Sequence, residues 1–252
     1  MSESTFLDRF DSELIIGLVA PVGSEKSIVI DELKDSFRSF NYEAVPVKLS
    51  SFLKEIDHGV ALVDDPEFER IKSYMDAGNK VREQMDSADA LALWAVTEIA
   101  SLRSSEGDTE GKKKVYILDS LKHPDEIKTL RRVYGNGFFL IGIYSSREKR
   151  FEFLHRNRGI EQGNAWALIE RDYSEDNPNN AGQSTREAFH VADAFVNLTN
   201  PTEAKTQISR IIDLLFGHPF TTPTIDEYAA FMAFTARLRS GDLSRQVRAV
   251  IL

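Results

Sequence analysis

The sequence predicts an α/β fold with a mostly parallel sheet, and three observations carry that reading. Short apolar runs without alternation recur at Glu13–Ala20 (ELIIGLVA), Val115–Leu118 (VYIL) and Phe138–Tyr144 (FFLIGIY). Strands buried on both faces read this way. Segments of helical periodicity separate them, as crossover helices must when strands run parallel. A small-residue turn, Pro21–Glu25, joins the first strand directly to the first helix.

Taken in order, Glu13–Ala20 is a strand and Ser27–Phe40 a helix, followed by a strand at Glu43–Leu49 and helices over Pro66–Met85 and Ala88–Arg103. The charged stretch Ser104–Lys114 breaks the pattern. A strand at Val115–Leu118 ends on Asp119, Pro124–Tyr134 is helical, and Phe138–Tyr144 is the next strand. Glu148–Arg156 and Ala165–Asp172 read as helices, Tyr173–Thr185 as a polar loop, Ala194–Leu198 as a strand and Thr202–Phe216 as an amphipathic helix. Pro219 and Pro223 then punctuate the chain before a helix at Ile225–Arg239 and an apolar run at Gln246–Leu252. The change of character sets the domains at 1–218 and 219–252, the second expected to be the start of a larger unit.

With 252 residues, 42% hydrophobic and 28% charged, the chain has material for one substantial core. Its net charge of −9 disfavours a broad nucleic-acid-binding surface or an anionic membrane, so any phosphate must be caught locally. There is no cysteine, hence no disulfide and no thiolate metal ligand. No apolar run approaches the roughly 20 residues that span a bilayer. These features predict a cytoplasmic protein.

The turn after the first strand occupies the place of a phosphate-binding loop. Such a loop reads Gly, four residues, Gly-Lys-Ser/Thr, because bare amides must wrap the phosphates while the lysine and hydroxyl reach phosphate and magnesium. Here the window is Ala20-Pro21-Val22-Gly23-Ser24-Glu25-Lys26-Ser27. Lys26 and Ser27 are in register, but Ala20 and Glu25 replace the two glycines. A carboxylate about 4 Å from a phosphate charge costs roughly 4 kcal/mol at an effective dielectric near 20. The helix terminus returns only about 0.3–1 kcal/mol to an anion. The direction of Glu25 therefore decides whether Gly23, Ser24, Lys26 and Ser27 hold a phosphate or the turn only packs.

Asp119, at the end of a strand, is placed to support magnesium beside the loop hydroxyl or to cap the following helix. Arg82, Arg131, Arg132, Arg147, Arg150, Arg156 and Arg158 form a basic constellation, arginine being the residue whose planar fork pairs with phosphate. Interleaved Glu148, Glu152 and Glu161 make most of them surface ion pairs, leaving Arg82 and Arg147 as candidate clamps. The five histidines are scattered and assemble no metal site.

Four segments, ELIIGLVAPVGSEKS, YMDAGNKVRE, SLKHPDEIKTLRRVYGNGFFLIGIYSSREKR and GQSTREAFHVADAFV, together with PFTTPTIDEYAAFMAFTARLRSGDLSRQVRAVI, resemble the antiphage dCTP deaminases of bacteria. That family joins a P-loop nucleotide-kinase-like domain to a zinc deaminase domain of the deoxycytidylate deaminase type. The resemblance implies antiviral defence by hydrolytic deamination of deoxycytidine nucleotides, with the last segment similar to the opening helix and first strand of the deaminase domain.

Zinc deaminases need His-x-Glu and Pro-Cys-x-x-Cys, and neither occurs in these 252 residues, so zinc and the general acid/base are expected only beyond Leu252. Arg248 stands where the family pattern has Gly. By resemblance the chain is a nucleotide-binding regulatory module with no catalytic residue of its own. Its expected ligand is a dNTP, dNMP or ATP with magnesium, and its expected partners are further copies of itself or a regulatory RNA or protein. Two other readings stay open: a deoxynucleoside monophosphate kinase-like phosphotransferase and a scaffold with an empty pocket.

Overall fold

A computed structural model describes residues 13–105, 113–174 and 184–236, with Gly241, Ala249 and Val250. One parallel sheet of five strands in the order β2-β3-β1-β4-β5 organises the first unit. The strands are β1 (Leu14–Val19), β2 (Tyr42–Lys48), β3 (Lys113–Leu121), β4 (Phe138–Tyr144) and β5 (Ala194–Asn197). The helices are α1 (Lys26–Ser39), α2 (Glu67–Gln84), α3 (Ala90–Ser105), α4 (Pro124–Tyr134), α5 (Arg147–Glu152), α6 (Gln162–Ser174), α7 (Thr185–His190), α8 (Pro201–Leu215) and α9 (Ile225–Ala236). This is the expected α/β class. The compact units divide between 211 and 212, inside α8, whereas the sequence suggests 218/219.

The central place of β1 explains its composition. It pairs with β3 on one side and β4 on the other, and all six of its residues are buried. Gly17 is required there by close packing: a Cβ would lie 2.7 Å from Leu121 Cδ1 and 2.9 Å from Phe138 Cζ. Helix α1 covers the sheet through Val29, Leu33 and Phe37, one apolar stripe at i, i+4, i+8. Each such side chain contributes about 1.5–3 kcal/mol on burial.

Two local features position the functional groups. Where β1 meets β3 the register slips: Leu18 faces Asp119 but Val19 faces Leu121. The bulge leaves Ser120 without a pairing partner on β1, beside the first turn of α1. Helix α4 begins at His123, whose ring accepts from the Asp125 amide while Glu126 accepts from the His123 amide, with Pro124 at the first helical position. His123, not Asp119, is therefore the cap of this helix.

Several sequence expectations shift. Glu148–Arg156 resolves into α5 followed by a π-turn at Phe153–Asn157. A 3-10 turn (Leu49–Lys54) and the short α7 are additional elements. The Gln246–Leu252 run and Arg248 lie outside the described residues, apart from Ala249 and Val250. Among the described residues no helix is long and apolar enough to cross a membrane.

Candidate functional site

The turn between β1 and α1 opens on a cavity of about 380 Å³. Ala20–Ser24, Lys26 and Ser27 form one end of it, with Asp119, Ser120 and Lys122 from the end of β3 and beyond. Residues from the 3-10 turn and α2 form much of the remaining wall, among them Leu53, Arg70, Ile71, Tyr74, Met75 and Arg82, with Phe153, Leu154 and Arg158 contributing beside them. Its lining holds six basic side chains (Lys26, Lys48, Arg70, Arg82, Lys122, Arg158) against three acidic ones (Glu67, Asp119, Asp172). A chain of net charge −9 thus turns a locally positive pocket towards solvent.

Glu25 does not line this cavity; it faces a separate cleft with Ser145, Lys149 and Glu152. The carboxylate repulsion feared from the sequence is thereby directed away from the loop mouth. A different acid meets the loop instead. The Val22 amide donates to Asp172 Oδ2 at 2.8 Å, while Lys122 Nζ bridges Asp172 Oδ1 (3.2 Å) and the Ala20 carbonyl (2.8 Å). Arg150 Nη1 donates to the Val22 carbonyl at 3.3 Å. These contacts hold the turn in shape from behind.

Gly23 has φ +82°, a left-handed conformation that favours glycine, and a Cβ there would come 3.0 Å from the Arg150 carbonyl oxygen. Of the two amides expected to wrap a phosphate, that of Ser24 is already given to the Pro21 carbonyl at 3.2 Å. The Ser24 hydroxyl is buried and has no hydrogen-bond partner among the described residues. Ser27 is exposed at the rim.

Lys26 and Asp119 form an ion pair, with Lys26 Nζ also 3.3 Å from Ser120 Oγ. Desolvation pulls the Lys26 pKa below the ordinary lysine value, and the attraction of Asp119 opposes that shift. Asp119 thus faces the loop, as a magnesium-supporting carboxylate must, but it is engaged by Lys26. Among the described residues no group of three or more His, Cys, Asp or Glu could hold a metal ion. Magnesium does not demand such a cage, since it binds through one or two carboxylates plus waters and substrate phosphates. Asp119 and the Ser27 hydroxyl, both in the lining, fit that requirement.

The two arginines separate. Arg82 is in the cavity wall, its side chain 1% exposed, and pairs with Glu126 Oε1 at 2.6 Å. Arg147 is outside the lining: it pairs with Glu170, and its guanidinium lies 5.8 Å from the Trp166 ring centre. Sequence reasoning missed Lys122, Asp172 and Glu126. A signal was present, because Asp172 follows Ala165, Leu168 and Ile169 on the buried stripe of α6, and Glu126 adjoins Ile127 and Leu130 on that of α4. A charge in register with an apolar stripe marks a buried ionic contact.

No family model matches the chain, and no curated protein matches it. Solved structures match at the level of fold. TT1252 from Thermus thermophilus aligns at 14% identity and TM-score 0.47, over 79% of this chain and 96% of that one. Shikimate kinase from Acinetobacter baumannii, in complex with shikimate, aligns at 14% and 0.45, over 84% and 98%. A gluconokinase from Sinorhizobium meliloti 1021 aligns at 15% and 0.40, over 83% and 98%. Likeness this distant concerns architecture alone.

Proposed function

We propose that the first unit is a nucleotide-binding domain of the P-loop kinase type, with phosphates at the Gly23–Ser27 turn and the organic part of the ligand against α2. One observation carries the reading. Gly23, Ser24, Lys26 and Ser27 line a cavity that is net basic within an acidic chain, and the buried Ser24 hydroxyl has no partner among the described residues. The deeper wall supplies Leu53, Ile71, Tyr74, Met75 and Leu91, an apolar surface suited to a base and sugar and not to inorganic phosphate alone. Bound with the nucleotide, magnesium would screen the phosphate charge, with Asp119 and Ser27 as its protein-side holders.

Calorimetry with ATP, dCTP and dCMP, each with magnesium, tests the reading. Binding is expected, and Lys26→Ala should weaken the triphosphates by at least about tenfold, or ~1.4 kcal/mol. Silence from the unaltered chain, or equal affinity in the variant, removes the loop as a phosphate site.

Phosphoryl transfer is the second reading, supported by the kinase-like order of strand, loop, helix and carboxylate. A cavity of about 380 Å³ is near the small end of ligand sites, which favours one ligand over a donor and acceptor held together. Formation of ADP from ATP in the presence of dCMP or dTMP would decide for transfer. The deaminase-regulating role rests on the quoted segments and on α9, whose exposed Ile225, Tyr228 and Phe231 suit the opening helix of a larger domain. In-frame His-x-Glu and Cys-x-x-Cys codons after Leu252 in the gene are what that role requires.

A further inference from the structure

We infer that α6 ties the two walls of the cavity together, so that the Arg171–Asp76 ion pair, outside the lining, sets how tightly the loop holds phosphate. The inference concerns regulation of the proposed nucleotide site and rests on that reading.

Arg171 and Asp172 are consecutive residues in the last turn of α6, and their side chains reach different walls. Asp172, its side chain 2% exposed, accepts from the Val22 amide at 2.8 Å through Oδ2 and from Lys122 Nζ at 3.2 Å through Oδ1. Lys122 in turn donates to the Ala20 carbonyl at 2.8 Å, so one carboxylate ties two peptide groups of the loop. Arg171 Nη2 donates to Asp76 Oδ1 of α2 at 2.7 Å. Successive residues of a helix project about 100° apart, which is how a single turn serves both sides.

The same helix joins the walls through its apolar stripe. Ala165, Leu168 and Ile169 of α6 belong to one buried cluster with Met75 of α2, and Val22 of the loop and Ile71 of α2 pack against it. Val22, Ile71 and Met75 line the cavity, whereas Asp76 and Arg171 do not. Close-packed interiors pass a shift on instead of absorbing it. A displacement of α6 therefore reaches the loop and α2 together.

The two ends of this tether differ in how firmly they are held. Asp172 is buried and cannot leave its donors without stranding a charge. Asp76 and Arg171 are 43% and 25% exposed, within reach of solvent and salt. The outer pair is thus the adjustable end. Breaking it frees α6 to move, and a loop no longer held in its binding conformation must lose that freedom when the ligand arrives, which weakens affinity.

Calorimetry with magnesium tripolyphosphate, which has no base or sugar to touch α2, reads the loop alone, and magnesium ATP reads the whole site. The proteins are the unaltered chain, Asp76→Asn, Arg171→Gln and the double variant, all altered outside the cavity. A partly exposed pair limits the effect to about twofold to fivefold. The expected result is a loss of that size in both single variants, with either ligand, and no greater loss in the double variant. Charge acting through space predicts otherwise: removing a cation weakens anion binding, removing a carboxylate strengthens it, and the double variant, unchanged in net charge, binds like the unaltered chain.

That pattern overturns the tether, and so does equal affinity in all four proteins, which spares the nucleotide reading. Asp172→Asn keeps an acceptor for the Val22 amide, and adding Arg171→Gln to it should cost no further affinity. An undiminished further loss carries the effect past Asp172 and overturns the tether as well. If magnesium ATP fails to bind the unaltered chain, the nucleotide reading and this inference fall together.

Discussion

Two cation–carboxylate pairs stand in the same cavity wall and differ in what holds them. Lys26 and Asp119 are partly open, with side chains 30% and 17% exposed, whereas Arg82 and Glu126 are closed off at 1% and 0%. The first pair joins the start of α1 to the end of β3 across a solvent-facing mouth. The second ties α2 to α4 inside the protein and is completed by two backbone amides. Burial decides which pair a ligand can separate. An accessible pair exchanges partners at low cost, while a buried one is fixed by the penalty of leaving either charge alone.

The largest effect should therefore follow from Glu126→Ala. It strands the Arg82 guanidinium and leaves the Lys122 and His123 amides without their acceptor. Removing one partner of a buried pair costs about 3–5 kcal/mol. Urea denaturation should show a shift of that size, and a change below about 1 kcal/mol would mean that solvent reaches Arg82 and that the two pairs are equally accessible.

How far the sequence reveals these pairs follows from their geometry. Lys26 and Asp119 can be brought together on paper, because a lysine after a strand-ending turn and an acid at the end of a second parallel strand must converge at the same sheet edge. Arg82 and Glu126 are 44 residues apart on two helices, and no local pattern pairs them. The strands β1 and β4 are legible because both faces are buried. Helix α4 matches its expected limits, Pro124–Tyr134, because proline begins it and Gly135, at φ 54°, ends it. The π-turn at Phe153–Asn157 escapes because it breaks the 3.6-residue period, and α7 because one turn and a half is too short to establish one. Glu25 lines the cleft that also holds Ser145, Lys149 and Glu152, a placement that the spacing of the loop does not encode.

A medium effect belongs to His123, which lies behind the Arg82 pair. Burial lowers its pKa below the ordinary 6.5, with Arg82 acting in the same direction and Glu126, Asp125 and Glu187 opposing. The ring accepts from the Asp125 amide through Nδ1, so the neutral form is the one the fold uses. Because the folded state takes up the proton less readily than the unfolded chain, this contribution is whole above about pH 6.5 and is lost as pH falls towards the lower folded value. His123→Asn keeps a capping acceptor and removes the titration. Urea midpoints between pH 7.5 and 5 should fall more steeply for the unaltered chain than for His123→Asn; parallel slopes would assign the acid sensitivity to another group.

The smallest effect on stability, and the most informative for function, belongs to Asp119→Asn. A partly exposed pair contributes only about 0.2–1 kcal/mol, so the fold should scarcely respond. Binding should respond clearly, because Lys26 already has a counter-ion and a phosphate arriving alone must displace it. A divalent cation that engages Asp119 would release Lys26 to the phosphate, which makes the anion and the cation bind better together than apart. Asp119→Asn removes the competitor: triphosphate affinity measured in EDTA should rise, by about fivefold for an interaction of ~1 kcal/mol, while the gain from added magnesium disappears. If the variant instead binds more weakly in EDTA, Asp119 orients Lys26 for the phosphate and does not compete with it, and the accessible pair is then as fixed in role as the buried one.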